Sequence, residues 1–178
     1  MPSIGARYIF MIRCYHTYVL CYYFAMNEYM KIAIGLAEES ISKREGGPFG
    51  ACIVKDGAVV GRGRNMVLKN NDPTAHAEVM AIRDACSNLG TYDLTGCVLY
   101  TSCYPCPMCL AATIWANIKE VYYGNTKEDA AAIGFRDDYI YDFIKGSCDD
   151  ALVLKALDRD ETIKTFETFS SDENKTIY

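Results

Sequence analysis

Histidine and tryptophan are almost missing from this chain: 178 residues hold two histidines, His16 and His76, and one tryptophan. Any chemistry that needs an imidazole therefore has very little to draw on. A surplus of basic side chains is missing too. Lys and Arg number 18 against 23 Asp and Glu, for a net charge of -5. That balance argues against a dedicated nucleic-acid binder, whose footprint is usually basic. The chain has no internal repeat, low-complexity tract or clear linker, and its length suits one compact domain. Cysteine is not scarce. Nine are present, an odd number, so they cannot all pair internally. In a chain long enough to bury its own core, unpaired cysteines point to a reducing, cytoplasmic setting, with some thiols buried and some on metal.

Residues 1–25 stand apart. They contain no Asp or Glu and are crowded with Tyr and Phe. A membrane anchor needs about 20 mostly apolar residues, and Arg13 and His16 interrupt this run near its middle. A signal peptide needs a clean apolar centre and a small-residue cleavage site, and neither is clear. An extra structured element is a further alternative. The preferred reading is a start placed too early, with Met26 opening the domain proper. The expected organisation is a doubtful leader over 1–25 and a single catalytic domain over 26–178, with no membrane association.

From Met26 onward the pattern is regular. Asn27 is a fair N-cap, and apolar residues at helical spacing predict an amphipathic helix over 28–44. Two apolar runs flank Asp56-Gly57, which predicts a two-residue hairpin. Residues 65–73 read as a polar loop. Helices are expected at 75–89, 105–116, 126–132, 137–145 and 160–169, and strands at 97–101, 119–124 and 151–156. Strands alternate with helices, so the expected class is α/β in three layers, with the first two strands antiparallel.

The chemistry concentrates in two short stretches. His76 stands in Thr74-Ala75-His76-Ala77-Glu78 at the start of a helix. Thirty residues later comes Pro105-Cys106-Pro107-Met108-Cys109. Cysteines at i and i+3 project from one face of a first turn, where free N–H groups and the helix dipole favour thiolates. One imidazole and two thiolates suit Zn2+, and three protein ligands leave a fourth position open for water. Water on zinc ionises near neutral pH. Glu78, two residues past the histidine, is placed to shuttle protons without binding metal. The competing reading is a closed structural site of His76, Cys103, Cys106 and Cys109. The combination H-x-E with P-C-x-x-C is the signature of the zinc nucleobase deaminases, and favours catalysis.

At these residues the chain resembles the cytidine deaminase-like superfamily, in particular its bacterial guanine deaminase branch. The similar stretches are GGPFGACIVKDG, NDPTAHAE and YTSCYPCPMC, and then AAAIGFRDDYIY from Ala130 to Tyr141. The first three are shared with tRNA adenosine deaminases; the last discriminates. The resemblance implies a three-layer α/β/α cytidine deaminase-like fold with a mixed central sheet and one Zn2+ per subunit. It implies hydrolysis of guanine to xanthine and ammonia, with zinc-bound hydroxide as nucleophile and Glu78 as proton shuttle. Asn65 matches an asparagine that hydrogen-bonds the purine, the alternative being a loop cap. Phe49 lies against the base face or belongs to the core. Ala77 offers its backbone N–H. Asp137 matches a second catalytic acid, with Asp142 as a further candidate, and both have a plain reading as surface carboxylates. Residues 150–178 are expected to be exchanged between the subunits of a homodimer, bringing the terminal Tyr178 to the partner's purine. Two departures stand out: Tyr104 replaces a family Glu, and Arg136 replaces an acid. The alternatives are a tRNA adenosine deaminase, a deaminase of another purine, guanosine or an aminotriazine, and a catalytically dead zinc-binding module.

Overall fold

A computed structural model describes residues 7–14, 17–24, 26–148 and 152–177. The described residues divide into two compact units between Phe135 and Arg136. The first unit opens with β1 (Arg7–Cys14) and β2 (Thr17–Phe24), an antiparallel pair in register Arg7↔Phe24 to Cys14↔Thr17. They form a sheet of their own.

The helix α1 (Glu28–Ser42) begins where the sequence predicts. Asn27 Oδ1 accepts from the N–H groups of Tyr29 and Met30 at 2.9 and 3.1 Å, satisfying two first-turn donors. The strands β3 (Gly50–Lys55) and β4 (Ala58–Arg64) form the expected hairpin. Asp56 and Gly57 both take positive φ, 49° and 79°, as a tight hairpin turn requires. Next come α2 (Val67–Asn70), α3 (Ala77–Leu89), β5 (Val98–Cys103), α4 (Pro107–Trp115), β6 (Glu120–Asn125) and α5 (Lys127–Ala132). The sheet order is β4-β3-β5-β6; β5 and β6 run parallel and the other pairs antiparallel.

Strand periodicity sorts the core into two faces. Ala51 and Ile53 of β3 point with Leu99 of β5 toward Ala77, Ala81 and Ala85 of α3. Cys52, Val54 and Tyr100 point the other way, toward Tyr29 and Ile32 of α1. Helices therefore cover both faces of a mixed sheet, as the three-layer expectation requires. Ile53 and Leu99 are fully buried, each worth about 1.5–3 kcal/mol of burial.

The small-residue face of α3 has a structural purpose. A Cβ at Gly63 of β4 would stand 2.1 Å from the carbonyl oxygen of Ala77 and 2.3 Å from the nitrogen of Ala81. The helix start thus rests directly on strand backbone. Replacing Gly63 by Ala is expected to lift that start and destabilise the fold by about 1–3 kcal/mol. Thermal unfolding together with zinc stoichiometry tests this; an unchanged midpoint with full zinc would show that the helix does not depend on the contact.

Two expectations need correction. The loop over 65–73 contains a helical turn, α2, closed by Asn71 at φ 48°. Here the carbonyl of Glu45, from the turn after α1, gathers two of the loop's N–H groups. The strand expected at 151–156 is absent from its described part, 152–156. These residues have no ladder partner, and an apolar run without one is not a strand.

The second unit contains α6 (Asp138–Ile144) and α7 (Arg159–Ser171). Leu152, Val153, Leu154, Leu157, Phe166 and Phe169 are all exposed in it. No helix among the described residues is long and apolar enough to cross a membrane.

Candidate zinc and substrate site

His76 is the N-cap of α3 and Cys106 the N-cap of α4. Neither side chain caps its own helix. The turn before His76 is fixed by Asp72, whose Oδ1 accepts from the N–H and hydroxyl of Thr74 at 2.8 and 2.6 Å. Those bonds also hold the Asp72 carboxyl below its ordinary range. The strand β5 delivers the chain to Pro105, and Pro107 takes the first helical position, where no N–H is needed. Cys109 follows one turn on, fully buried.

These elements bring His76 Nδ1 to 3.5 Å from Cys106 Sγ and 3.7 Å from Cys109 Sγ. Nitrogen and sulfur ligands at about 2.0 and 2.3 Å from a tetrahedral zinc stand about 3.5 Å apart. The three side chains therefore fit the ion, with Nδ1 as the imidazole donor. They are also the one cluster of metal-ligating side chains found among the described residues. Cys103 does not join them; its thiol donates to the carbonyl of Thr126 at 3.5 Å. The cluster within ligand reach among the described residues is thus three side chains, without Cys103.

The two cysteines are electrostatically unequal. The thiol of Cys109 donates to Cys106 and, with His76 nearby, holds Cys106 well below the ordinary thiol range despite burial. Cys109 is pushed up by that same bond, by burial and by the carboxylate of Glu78. Facing thiols of this kind share a proton that a divalent cation displaces.

Glu78 sits in the first turn of α3 and is only 5% exposed. Burial raises its pKa above the ordinary carboxylate range, against hydrogen bonds that lower it. Thr101 Oγ1 donates to Glu78 Oε1 at 2.9 Å. Reading the sequence alone missed Thr101. Its signal was there: Thr101 and Ser102 are polar residues ending an apolar strand, and both are buried.

The other sequence candidates are distributed unevenly. Asn65 lies at the end of β4 and is buried. Its N–H donates to the carbonyl of Phe49 at 2.9 Å, and its Oδ1 accepts from Val67 N–H at 3.2 Å. Phe49 is half-buried against the α3-side core and meets Phe135 edge-on at 4.9 Å, so its ring has a core role whatever else it does. Ala77 is the first residue of α3, and a first-turn N–H has no acceptor within its helix. Asp137 is the half-buried N-cap of α6, and Asp142 is exposed on that helix. Both belong to the second unit. Tyr178 lies outside the described residues, as does His16. Tyr104 is half-buried and packs edge-on against Tyr123 at 5.0 Å. Arg136 pairs with Asp138 at 3.4 Å.

Comparison with known proteins agrees with this site. Residues 25–125 match the profile of the cytidine and deoxycytidylate deaminase zinc-binding region. That span runs from the residue before Met26 to the end of β6 and includes His76, Cys106 and Cys109. The chain belongs to this family of zinc-dependent deaminases. Within it, the chain is 46% identical to the guanine deaminase of Bacillus subtilis over 151 residues, covering 84% of this chain and 97% of that protein. The X-ray structure of that enzyme superposes with a TM-score of 0.81, over 86% of this chain and 99% of the other, at 46% identity. A guanine deaminase structure from Nitrosomonas europaea gives a TM-score of 0.58 at 32% identity, over 61% of this chain and 63% of that one. The tRNA-specific adenosine deaminase of Aquifex aeolicus is 41% identical over 95 residues, which are 53% of this chain and 62% of that protein.

Proposed function

We propose that this chain catalyses the hydrolytic deamination of guanine to xanthine and ammonia in purine metabolism. One observation carries the reading. Likeness to the Bacillus guanine deaminase spans 97% of that enzyme, whereas likeness to the Aquifex tRNA deaminase stops at 62%. The zinc framework is common to both; what lies beyond it is shared with the guanine enzyme.

Zinc held by His76, Cys106 and Cys109 would supply a water of near-neutral pKa. The remaining work falls to the chain itself. Thr101 Oγ1 holds Oε1 of Glu78 and so orients the carboxylate that takes a proton from water. Glu78 then passes it to a purine ring nitrogen as the water oxygen bonds to C2, and carries that oxygen's remaining proton to the amine, which leaves as ammonia when the C2–N bond breaks. Burial keeps bulk water from competing for those protons and brings the carboxyl toward the neutral pH at which it must cycle. Asn65 directs its amide N–H to an acceptor on the purine, Phe49 walls the base, and the Ala77 N–H donates from the helix start. Asp137 serves as a second acid at the substrate.

The active form is a cytoplasmic homodimer built from the domain over 26–178. Its segment over 150–178 crosses to the partner, where Tyr178 closes the site. The exposed apolar side chains at 152–157 and on α7 support this, because a solvated monomer rarely leaves so many uncovered in one segment. Removing Asn174–Tyr178 is expected to lower turnover at least tenfold while leaving zinc content intact; full activity in the truncated protein would remove the tail from the site. Ammonia release from guanine, guanosine, adenine, cytosine and tRNA by the zinc-loaded protein tests the substrate. Release from guanine alone is expected. Silence on guanine would sink the proposal, and salt-sensitive turnover of tRNA would favour the adenosine deaminase reading.

A further inference from the structure

Asn65 is held from several sides by residues that have no place in the chemistry. Its carbonyl accepts from Ser40 Oγ at 2.7 Å, and Ser40, fully buried, also lies 2.9 Å from the carbonyl of Gly47. A Cβ at Gly46 would stand 2.0 Å from Asn65 Oδ1. With Oδ1 taken by Val67 N–H, Nδ2 is the amide atom left to donate.

Glu45 grips this segment at both ends. Its carboxylate accepts from Arg64 Nε, on the residue just before Asn65, and from Lys69 Nζ at 2.7 Å, four residues after it. Its carbonyl accepts from the N–H groups of Leu68 and Lys69 at 3.0 Å each, and its own N–H donates to the carbonyl of Ser40 at 3.0 Å. The Glu45 side chain is 9% exposed and Arg64 20%, so that bond is largely out of solvent, while Lys69 reaches in from a half-exposed position. Arg64 and Lys69 together hold the carboxyl down to about 2. The clamp is therefore charged at every pH at which the enzyme would work.

We propose that Glu45 is a positioning residue for substrate recognition: by clamping Arg64 and Lys69 it fixes the Arg64–Lys69 turn, and so presents the Asn65 amide in one orientation. This rests on Asn65 being a purine contact. A preset amide binds without being ordered at the moment of binding, and a loosened one weakens affinity first. Glu45 touches no reacting atom, so its loss acts on KM more than on kcat.

A double-mutant cycle on the zinc-loaded, full-length protein tests this with guanine as substrate. Glu45→Gln is expected to raise KM about tenfold and leave kcat within about twofold. Asn65→Ala is expected to raise KM further, and adding Glu45→Gln to it is expected to change nothing more. Equal Glu45→Gln effects with and without Asn65, or no Glu45→Gln effect on KM, would overturn the clamp. If Asn65→Ala itself leaves KM unchanged, the Asn65 contact falls, and the clamp falls with it for that separate and recognisable reason. Lys69→Met removes one half-exposed partner and keeps the core carboxylate, so it serves where Glu45→Gln does not fold. A severalfold rise in KM is expected of it, and an unchanged KM would likewise overturn the proposal.

Discussion

Exchanging Glu78 for Gln is expected to keep zinc bound and to lower kcat by about 10²- to 10⁴-fold, the span associated with losing a positioned proton carrier. The amide has the same shape and can still accept from Thr101 at Oε1, so His76, two residues earlier on the same helix start, keeps its place. What it lacks is a basic oxygen. Stability is expected to hold or rise slightly, because burial disfavours the charged carboxylate and the amide is neutral. A pH profile adds an independent readout. The raised pKa means the proton-accepting form is lost as pH falls through a value above the ordinary 4.5. The acid limb of kcat/KM should therefore lie above that value, and any residual activity of the Gln variant should not follow it. Zinc content by elemental analysis, unfolding midpoints and steady-state turnover separate the effects. Turnover near that of the unaltered protein would remove Glu78 from its role.

Much of this site was legible in the sequence because its residues are tied to local features. His76 and Glu78 share one helix start, and Cys106 and Cys109 are one turn apart. Spacing alone puts each pair on a common face. That Cys106 and Cys109 converge on the imidazole follows from the P-C-x-x-C signature, not from spacing. Cys103 is as near to Cys106 in sequence as Cys109 is, yet it ends β5 and turns to Thr126. Strand direction made that choice, and a strand's direction depends on neighbours distant in the chain. The same limit explains the misses. Thr101 and Glu78 are 23 residues apart, and Glu45 and Lys69 24. No periodicity connects such residues; the pairing of β3 with β4 and β5 does. Helix boundaries were read well at Asn27 and Gly90, where a capping side chain or a left-handed residue stops the helix locally. The apolar run over 152–156 forms no strand because nothing in the described residues pairs with it, and pairing is not written in composition.

Replacing Cys109 by Ala is expected to cost the protein its zinc, its turnover and part of its stability together. Cys109 is fully buried between α3 and the first turn of α4. Its loss leaves His76 and Cys106 as a two-ligand set that cannot compete with chelators at the level of three. It also leaves Cys106 without the thiol that stabilises its thiolate. That side chain would then face burial with less compensation, and its pKa should climb toward the ordinary thiol range. The unaltered protein carries a matching signature. Cys106 is held toward the thiolate by its neighbours, while Cys109 is pushed toward the thiol and must give up its proton to become a ligand. Zinc uptake by the stripped protein should therefore release at least about one proton per ion, and affinity should weaken roughly tenfold for each unit of acidification while one proton is exchanged. Calorimetry in buffers of different ionisation enthalpy counts the protons; elemental analysis and thermal unfolding follow the variant. The outcome that would break this account is a Cys109→Ala protein that keeps stoichiometric zinc through dialysis against a chelator, since the ion would then be held by residues other than the three assembled here.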